Sequence, residues 1–154
     1  MKGERRFSRQ LALQCLYEID LVDHPVGVVL EHRFQAHQDT MTSRVRDYCR
    51  ELVVEIIRHR DLLDEYIQRH ASEWPLDQVS IIDRNLLRMA LYEFTIGHVP
   101  VKVAINEAVE LAKNYGADSA PRFVNGVLGA LVSKQQEITA ALLAEIDRAE
   151  ELTE

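Results

Sequence analysis

The chain has 154 residues, of which 47% are hydrophobic, and its formal net charge at pH 7 is −7. A chain of this size and composition is most simply one globular domain. None of its apolar runs approaches the roughly 20 residues that span a membrane, and no apolar segment at its N-terminus resembles a secretion signal. These features argue against a membrane protein and favour a protein of the cytoplasm.

The acidic charge is concentrated at the C-terminal end. Residues 135–154 contain six acidic side chains and one arginine, which gives this segment a net charge of −5. The first ten residues instead hold four basic residues against Glu4, a net charge of +3. The basic residues are Lys2, Arg5, Arg6 and Arg9. A basic end on an acidic chain is a local signal that the whole-chain charge hides.

Apolar stripes of helical period occur throughout the first half of the chain, without the alternating pattern of strands. The predicted helices cover residues 5–21, about 26–37, 45–57 and 61–67. Ala12, Cys15, Leu16 and Ile19 form the expected core face of the first helix. Thr42 or Ser43 is the expected N-cap of the third helix, and Asp61 is that of the fourth. Residues 72–75 are expected to connect this group of helices to the next.

The second half is predicted to contain a single helix, a helical hairpin and a last amphipathic helix. Ser80 caps the single helix, and the hairpin extends from Pro100 to Leu131. Within the hairpin we expect Gly116 to end the first helix in a left-handed conformation and Ser119 to cap the second. Its expected core residues are Ile105, Ala108, Phe123 and Val127. The acidic residues 135–154 either pack back as a helix or fray, and we favour a helix with a loose end.

The sequence contains no pattern typical of an enzyme. It has no glycine-rich phosphate loop, no nucleophile elbow and no repeated Glu-x-x-His ligand set. Glu107 and Glu110 are expected to be solvated carboxylates. Cys15 and Cys49 are expected to be buried thiols and not metal ligands or nucleophiles. We therefore predict no catalytic activity, no metal site and no cofactor.

Three residues of the hairpin lie among apolar neighbours without being apolar themselves: Asn106, Asn125 and Gly126. A buried asparagine needs a hydrogen-bond partner. That partner is either a ligand or, as we favour, the other hairpin helix, whose register the bond would fix. Glycine lowers helix propensity, and we expect Gly126 to permit the close approach of a neighbouring helix.

Arginines provide the strongest functional signal. They are Arg5, Arg6 and Arg9 at the start of the first helix, Arg84 and Arg88 on one face of a later helix, and Arg122 in a first helical turn, where backbone N–H groups add to an anion site. Guanidinium groups bind phosphate and stack on bases, and Tyr17 offers a stacking face. Each cluster alone is more typical of a solvated surface. If the helices pack so that the clusters line one groove, they predict single-stranded RNA as a partner.

Three segments resemble the NusB family of transcription antitermination factors. They are SRQLALQCLYEID at residues 8–20, LLRMALYE at 86–93, and VPVKVAINEAVELAKNYG with FVNGVLGAL between 99 and 131. The resemblance implies an all-α fold of two packed three-helix bundles. It implies one domain over residues 1–134, with bundles at about 5–70 and 76–134. Residues 135–154 lie outside the match as an additional helical tail.

The resemblance also implies a non-enzymatic, RNA-binding function. Members of this family bind the boxA element of ribosomal RNA operons together with NusE, a small-subunit ribosomal protein, and join the RNA polymerase antitermination complex. The RNA-binding residues carried over by motif are Arg5, Arg6, Arg9, Tyr17, Arg84, Arg88, Asp118 and Arg122. We expect Arg84→Ala and Arg88→Ala to weaken RNA binding while leaving the fold intact.

Two other functions stay open at the level of the sequence. The chain could be a NusB-like RNA-binding domain detached from an RNA cytosine methyltransferase, or a helical adaptor that binds a ribosomal protein without contacting RNA. The oligomeric state is open between a monomer and a homodimer. No motif identifies the residues that would contact NusE.

Overall fold

The helical patterns correspond to eight α-helices in a computed structural model that describes residues 2–71 and 75–153. The helices are α1 (Lys2–Val22), α2 (Val26–Ala36), α3 (Ser43–Arg58), α4 (Arg60–His70), α5 (Ile81–Thr95), α6 (Val101–Tyr115), α7 (Ala120–Val132) and α8 (Gln135–Thr153). A short 3₁₀ helix, Leu76–Gln78, precedes α5. No strand occurs within these two ranges, which confirms the all-α prediction. Most of the predicted connection at 72–75, namely residues 72–74, lies outside the described residues.

The chain forms two compact units. The first ends at Arg58, and the second begins at His59. The first unit contains α1, α2 and α3, and the second contains α4 to α8. Within the second unit, α4 contacts α5 and α7. The predicted single domain over residues 1–134, with bundles at about 5–70 and 76–134, stays a prediction.

In the first unit, α1 contacts α3 along faces that the sequence predicted. The expected core residues of α1 are buried, as is most of the apolar stripe of α3. The Ser8 hydroxyl donates a buried hydrogen bond to the Val45 carbonyl, at 3.0 Å. Thr42 caps α3, because its Oγ1 accepts from the Val45 amide at 3.2 Å, and it also donates to Glu4 Oε2 at 2.8 Å. These bonds connect the starts of α1 and α3.

The central helix of the second unit is α5, which contacts α4, α6, α7 and α8. Ser80 caps it as predicted, since its Oγ accepts from the Asp83 amide at 3.1 Å. Every residue from Asn85 to Thr95 is buried, which is typical of a helix covered on all sides. The buried residues include four polar ones, Asn85, Arg88, Glu93 and Thr95, so the interior must supply their hydrogen-bond partners.

The buried face of α6 is rotated from the predicted one, although Ala108 is buried as expected. Its buried residues are Ala104, Glu107, Ala108, Leu111 and Ala112. Ile105 is only half-buried, and Tyr115 is 38% exposed. In α7, Val127 is buried as expected, whereas Phe123 is half-buried. The alanines explain the rotation of α6, because small side chains allow it to approach its neighbours α5 and α7 closely.

Three predictions about polar and small hairpin residues are wrong. Asn106 and Asn125 are exposed, so neither fixes the register of the hairpin from its interior. Glu107, which we expected to be solvated, is buried with 7% of its surface exposed. Gly126 is exposed, and a Cβ atom built on it would meet no atom within 4 Å. It therefore does not permit a close helix approach.

Gly116 is required for space and not for its backbone conformation. Its φ of −96° and ψ of 177° are extended, so the predicted left-handed conformation is wrong. A Cβ atom here would lie 2.6 Å from the Ala120 Cβ and 3.0 Å from the Ala112 carbonyl oxygen. Two predicted caps are also wrong: Ser119 makes no side-chain cap bond, and the N-cap position of α4 is His59, not Asp61.

The acidic C-terminal segment is a helix that contacts α5 and buries Ile138 and Leu142. At its start, Gln135 Nε2 donates to the Phe94 carbonyl at 2.9 Å. Further along, Glu145 Oε1 lies 2.5 Å from Nδ1 of His59, a residue that is only 1% exposed. The segment therefore packs back on the second unit, and its Glu145 is tied to the residue that precedes α4.

We predict opposite effects for alanine at two glycines. Gly116→Ala should lower the free energy of unfolding by about 1–3 kcal/mol, because the added methyl group overlaps Ala120. Gly126→Ala should raise it by up to about 1 kcal/mol, because that site has room and alanine favours helix. Urea unfolding of both variants measures the difference. Equal effects would contradict the steric role of Gly116.

The tie between α8 and His59 predicts a localised effect on stability. Glu145→Ala should lower the free energy of unfolding by about 1–3 kcal/mol, because it removes the partner of a buried imidazole. Glu150→Ala, at an exposed position of the same helix, is the matched control and should change it by less than about 0.5 kcal/mol. Urea unfolding compares the two variants. Equal free energies of unfolding would show that the contact between Glu145 and His59 does not stabilise the fold.

Candidate nucleic-acid interface

The eight residues predicted to bind RNA lie in both units. Arg5, Arg6, Arg9 and Tyr17 are on α1 of the first unit. In the second unit, Arg84 and Arg88 are on α5, Asp118 is in the turn between α6 and α7, and Arg122 is in the first turn of α7. Their burial and partners, described below, separate the residues that face solvent from those that do not. Their role in RNA binding stays a prediction.

The three arginines of α1 differ in exposure. Arg5 and Arg6 are exposed, whereas Arg9 is only 5% exposed. Both Arg5 and Arg9 lie near the buried Tyr48 of α3, with guanidinium carbons 3.7 and 5.8 Å from the centre of its ring. A guanidinium over an aromatic face is attracted by the charge distribution of the ring. Arg9 therefore belongs to the interior of the first unit, and Arg5 combines an aromatic contact with access to solvent.

Tyr17 lies on an exposed part of α1. Its side chain is 38% exposed, and Leu21, one helical turn further on, is 55% exposed. The ring is therefore accessible to solvent, as base stacking requires.

Arg88 is directed into the second unit. Its Nε and Nη2 donate to the two carboxylate oxygens of Asp64 on α4, both at 2.7 Å, and its Nη1 donates to Asn85 Oδ1 at 3.1 Å. The side chain of Arg88 is 6% exposed and that of Asp64 is 26% exposed. This bidentate geometry is the strong form of an ion pair. The expectation that Arg88 can be replaced without affecting the fold therefore needs correction.

Arg84 is half-buried at a cleft of about 370 Å³. Its Nη1 lies 3.4 Å from the Leu76 carbonyl oxygen, to which it donates a long hydrogen bond. The cleft is also lined by Arg88 and by the carboxylates of Asp64, Glu65 and Asp77. Three carboxylates against two guanidinium groups make this cleft a poor site for a phosphate.

The turn between α6 and α7 places Asp118 and Arg122 at the surface, where both are exposed. It lies beside the start of α5, since a Cβ atom on Gly116 would be 3.3 Å from Asp83 Oδ1. That oxygen is buried and accepts no hydrogen bond from any described residue. Burial raises the pKa of the Asp83 carboxyl, although the hydrogen bond with Ser80 opposes the shift. The turn therefore carries the exposed Arg122 and packs closely against the start of α5 at Gly116.

Reasoning from the sequence missed Tyr48 and Asp64. Tyr48 fits the apolar stripe of α3, so its position gave no sign that arginines of α1 would lie over its ring. Asp64 is separated from Arg88 by 24 residues and has the polar character of an ordinary helix surface. No spacing rule connects residues on different helices, so neither partner carried a local signal.

The two cysteines are free thiols in the interior of the first unit, as predicted. A hydrogen bond between the two thiols lowers the pKa of Cys15 and raises that of Cys49. Among the described residues, no group of three or more histidine, cysteine, aspartate or glutamate side chains is arranged to hold a metal ion. No helix within residues 2–71 and 75–153 is long and apolar enough to span a membrane.

The family model for NusB matches residues 6–133 of the chain. The chain belongs to the NusB family. It is 46% identical over 141 residues to the transcription antitermination protein NusB of Dehalococcoides mccartyi, covering 91% of this chain and 96% of that protein. It is 40% identical to the protein of the same name from Bacillus subtilis, over 84% of this chain and 95% of the relative.

Solved structures of NusB proteins share the fold. T. maritima NusB matches with a TM-score of 0.79 and 29% identity, covering 87% of this chain and 95% of that one. A chain in the crystal structure of the antitermination factors NusB and NusE with dsRNA matches with a TM-score of 0.77 and 26% identity, covering 92% and 99%. All of α8 lies beyond the segment matched by the family model.

The pair between Asp64 and Arg88 predicts an asymmetric response to mutation. Asp64→Ala should lower the free energy of unfolding by about 3–5 kcal/mol, because it leaves a buried guanidinium without its counter-charge. Arg88→Met should cost less, because methionine fills the site and the Asp64 carboxylate is exposed enough to be hydrated. Denaturant unfolding of the two variants tests this order, and the reverse order would contradict it.

Proposed function

We propose that this protein is a non-catalytic transcription antitermination factor that binds boxA RNA together with NusE and joins the RNA polymerase antitermination complex. The observation that carries the proposal is the pair of exposed guanidinium groups, Arg5 and Arg6, at the start of α1 in a member of the NusB family. Exposed arginines bind RNA phosphates and stack on unpaired bases.

The proposal gives different roles to exposed and buried residues. Arg5, Arg6 and Arg122 provide positive charge at the surface, and Tyr17 provides a ring on which a base can stack. Asp118 provides a carboxylate that can accept a hydrogen bond from a base amino group. Arg9 and Arg88 support the surface from within their own units, since both are 5% exposed. Arg84 is half-buried at a cleft with three carboxylates, so we expect it to contribute less to phosphate binding than the exposed arginines.

The comparisons support this function over the methyltransferase alternative. The curated relatives that match over nearly their whole length are named transcription antitermination proteins. One structural neighbour is described as a complex of NusB, NusE and dsRNA, which supports RNA and NusE as partners.

A titration of fluorescently labelled boxA RNA tests the proposal directly. Anisotropy should rise with protein concentration, and the affinity should increase when NusE is present. The affinity should fall as the salt concentration rises from about 50 to about 200 mM. A scrambled RNA of equal length and composition is the control for sequence preference. If NusE binds but boxA RNA binds neither alone nor with NusE, the chain is a protein adaptor and the proposal fails.

Removal of single exposed arginines should weaken RNA binding through lost phosphate contacts. Arg6→Ala and Arg122→Ala should each lower affinity and reduce the slope of log K against log salt by about 0.7–1. Arg148→Ala removes the same charge from an exposed position of acidic α8 and is the matched control. The three titrations are compared with wild type. Equal losses in all three variants would indicate a general charge effect and contradict specific contacts.

A further inference from the structure

We propose that Arg5 and Tyr48 form a stacking subsite for one RNA base in the first unit, an inference that rests on the RNA binding proposed above. The Arg5 guanidinium carbon lies 3.7 Å from the centre of the Tyr48 ring, which is a stacking distance. Tyr48 is only 7% exposed, whereas Arg5 is exposed. One side of the guanidinium therefore covers the ring, and a base would stack on the other side.

The helix starts around this pair are held in place by specific hydrogen bonds. Ser8 of α1 donates to the Val45 carbonyl of α3, and Thr42 donates to Glu4. Tyr48 lies one helical turn after Val45, so these bonds fix the ring relative to the start of α1. An arginine side chain that is already oriented loses less conformational freedom when it binds a base. Tyr48 is thus a positioning residue that acts through Arg5.

The charge of the adjoining cleft favours a base over a phosphate. Arg5 and Tyr48 line a cleft of about 450 Å³ together with Arg44 and the carboxylates of Glu4, Asp47 and Glu51. Three carboxylates against two guanidinium groups repel a phosphate. Carboxylate oxygens accept hydrogen bonds from amino groups. The subsite therefore favours a base with an exocyclic amino group, namely adenine, guanine or cytosine, over uracil, whose only base-pairing donor is its N3–H.

A lysine at position 5 distinguishes stacking on a base from a charge contact with a phosphate. Arg5→Lys keeps the positive charge but removes the planar group, because an ammonium is a compact point charge. We expect this variant to bind boxA RNA about fivefold or more weakly than wild type, within the range for the loss of one stacked base. The slope of log K against log salt should stay unchanged, because no charge is lost.

The role of Tyr48 is tested with a pair of variants. Tyr48→Phe keeps the ring and should bind boxA RNA like wild type, whereas Tyr48→Leu should bind as weakly as Arg5→Lys. The double variant Arg5→Lys/Tyr48→Leu should be no weaker than either single variant, because both changes remove the same platform. Urea unfolding of each variant monitors the fold.

A fluorescent base reports stacking directly. This measurement is made at saturating protein, so it does not depend on affinity, and it does not use the Tyr48→Leu variant. In boxA RNAs with 2-aminopurine placed at one position at a time, saturating wild-type protein should quench one position by stacking. Saturating Arg5→Lys should quench that position less.

Each result bears on the proposal in a defined way. If wild type binds boxA RNA but Arg5→Lys matches it in affinity and in quenching at every position, Arg5 is a phosphate contact and the stacking subsite is wrong. If wild type binds no RNA, with or without NusE, the proposed function itself has failed. Selective weakening of Arg5→Lys with an unchanged salt slope supports the subsite.

Discussion

The second unit depends on the requirement that a buried guanidinium be paired. Arg88 is on α5, the helix that contacts every other α-helix of its unit, and its side chain is 6% exposed. An isolated charge in such a position costs several kcal/mol, so its counter-charge must be held in the correct geometry. Asp64 supplies that charge from α4 through two hydrogen bonds, and Asn85 supplies a third. The pair thereby fixes the position of α4 against α5.

Burial gives the arginines of this chain two different kinds of role. Arg9 and Arg88 are directed inward and stabilise helix contacts, while Arg5 and Arg122 reach solvent, where an anionic partner can bind. Arg5 belongs to both groups, because it contacts the Tyr48 ring and is exposed. An exposed side chain that is held in place by buried neighbours, as Arg5 is by Tyr48, loses less entropy on binding than a mobile side chain.

Much of the fold could be predicted because helix formation leaves local signals. The core face of α1, the caps Thr42 and Ser80 and the packed C-terminal helix follow from periodicity and capping chemistry. The rotation of α6 could not be predicted, since the closeness of neighbouring helices decides which side of an alanine-rich helix is buried. Asn106 is exposed and Glu107 buried for that reason. The site residues were selected by charge and resemblance, but their partners are distant in sequence and left no local pattern.

The distinction between inward and outward arginines can be measured in one experiment. NMR of the arginine Nε–H groups, recorded on ¹⁵N-labelled protein during a titration with boxA RNA, follows each guanidinium separately. We expect the resonances of Arg5 and Arg122 to shift, and that of Arg88 to stay in place because its Nε–H remains bonded to Asp64. A shift of the Arg88 resonance on RNA binding, with those of Arg5 and Arg122 unchanged, would contradict the roles assigned to these residues.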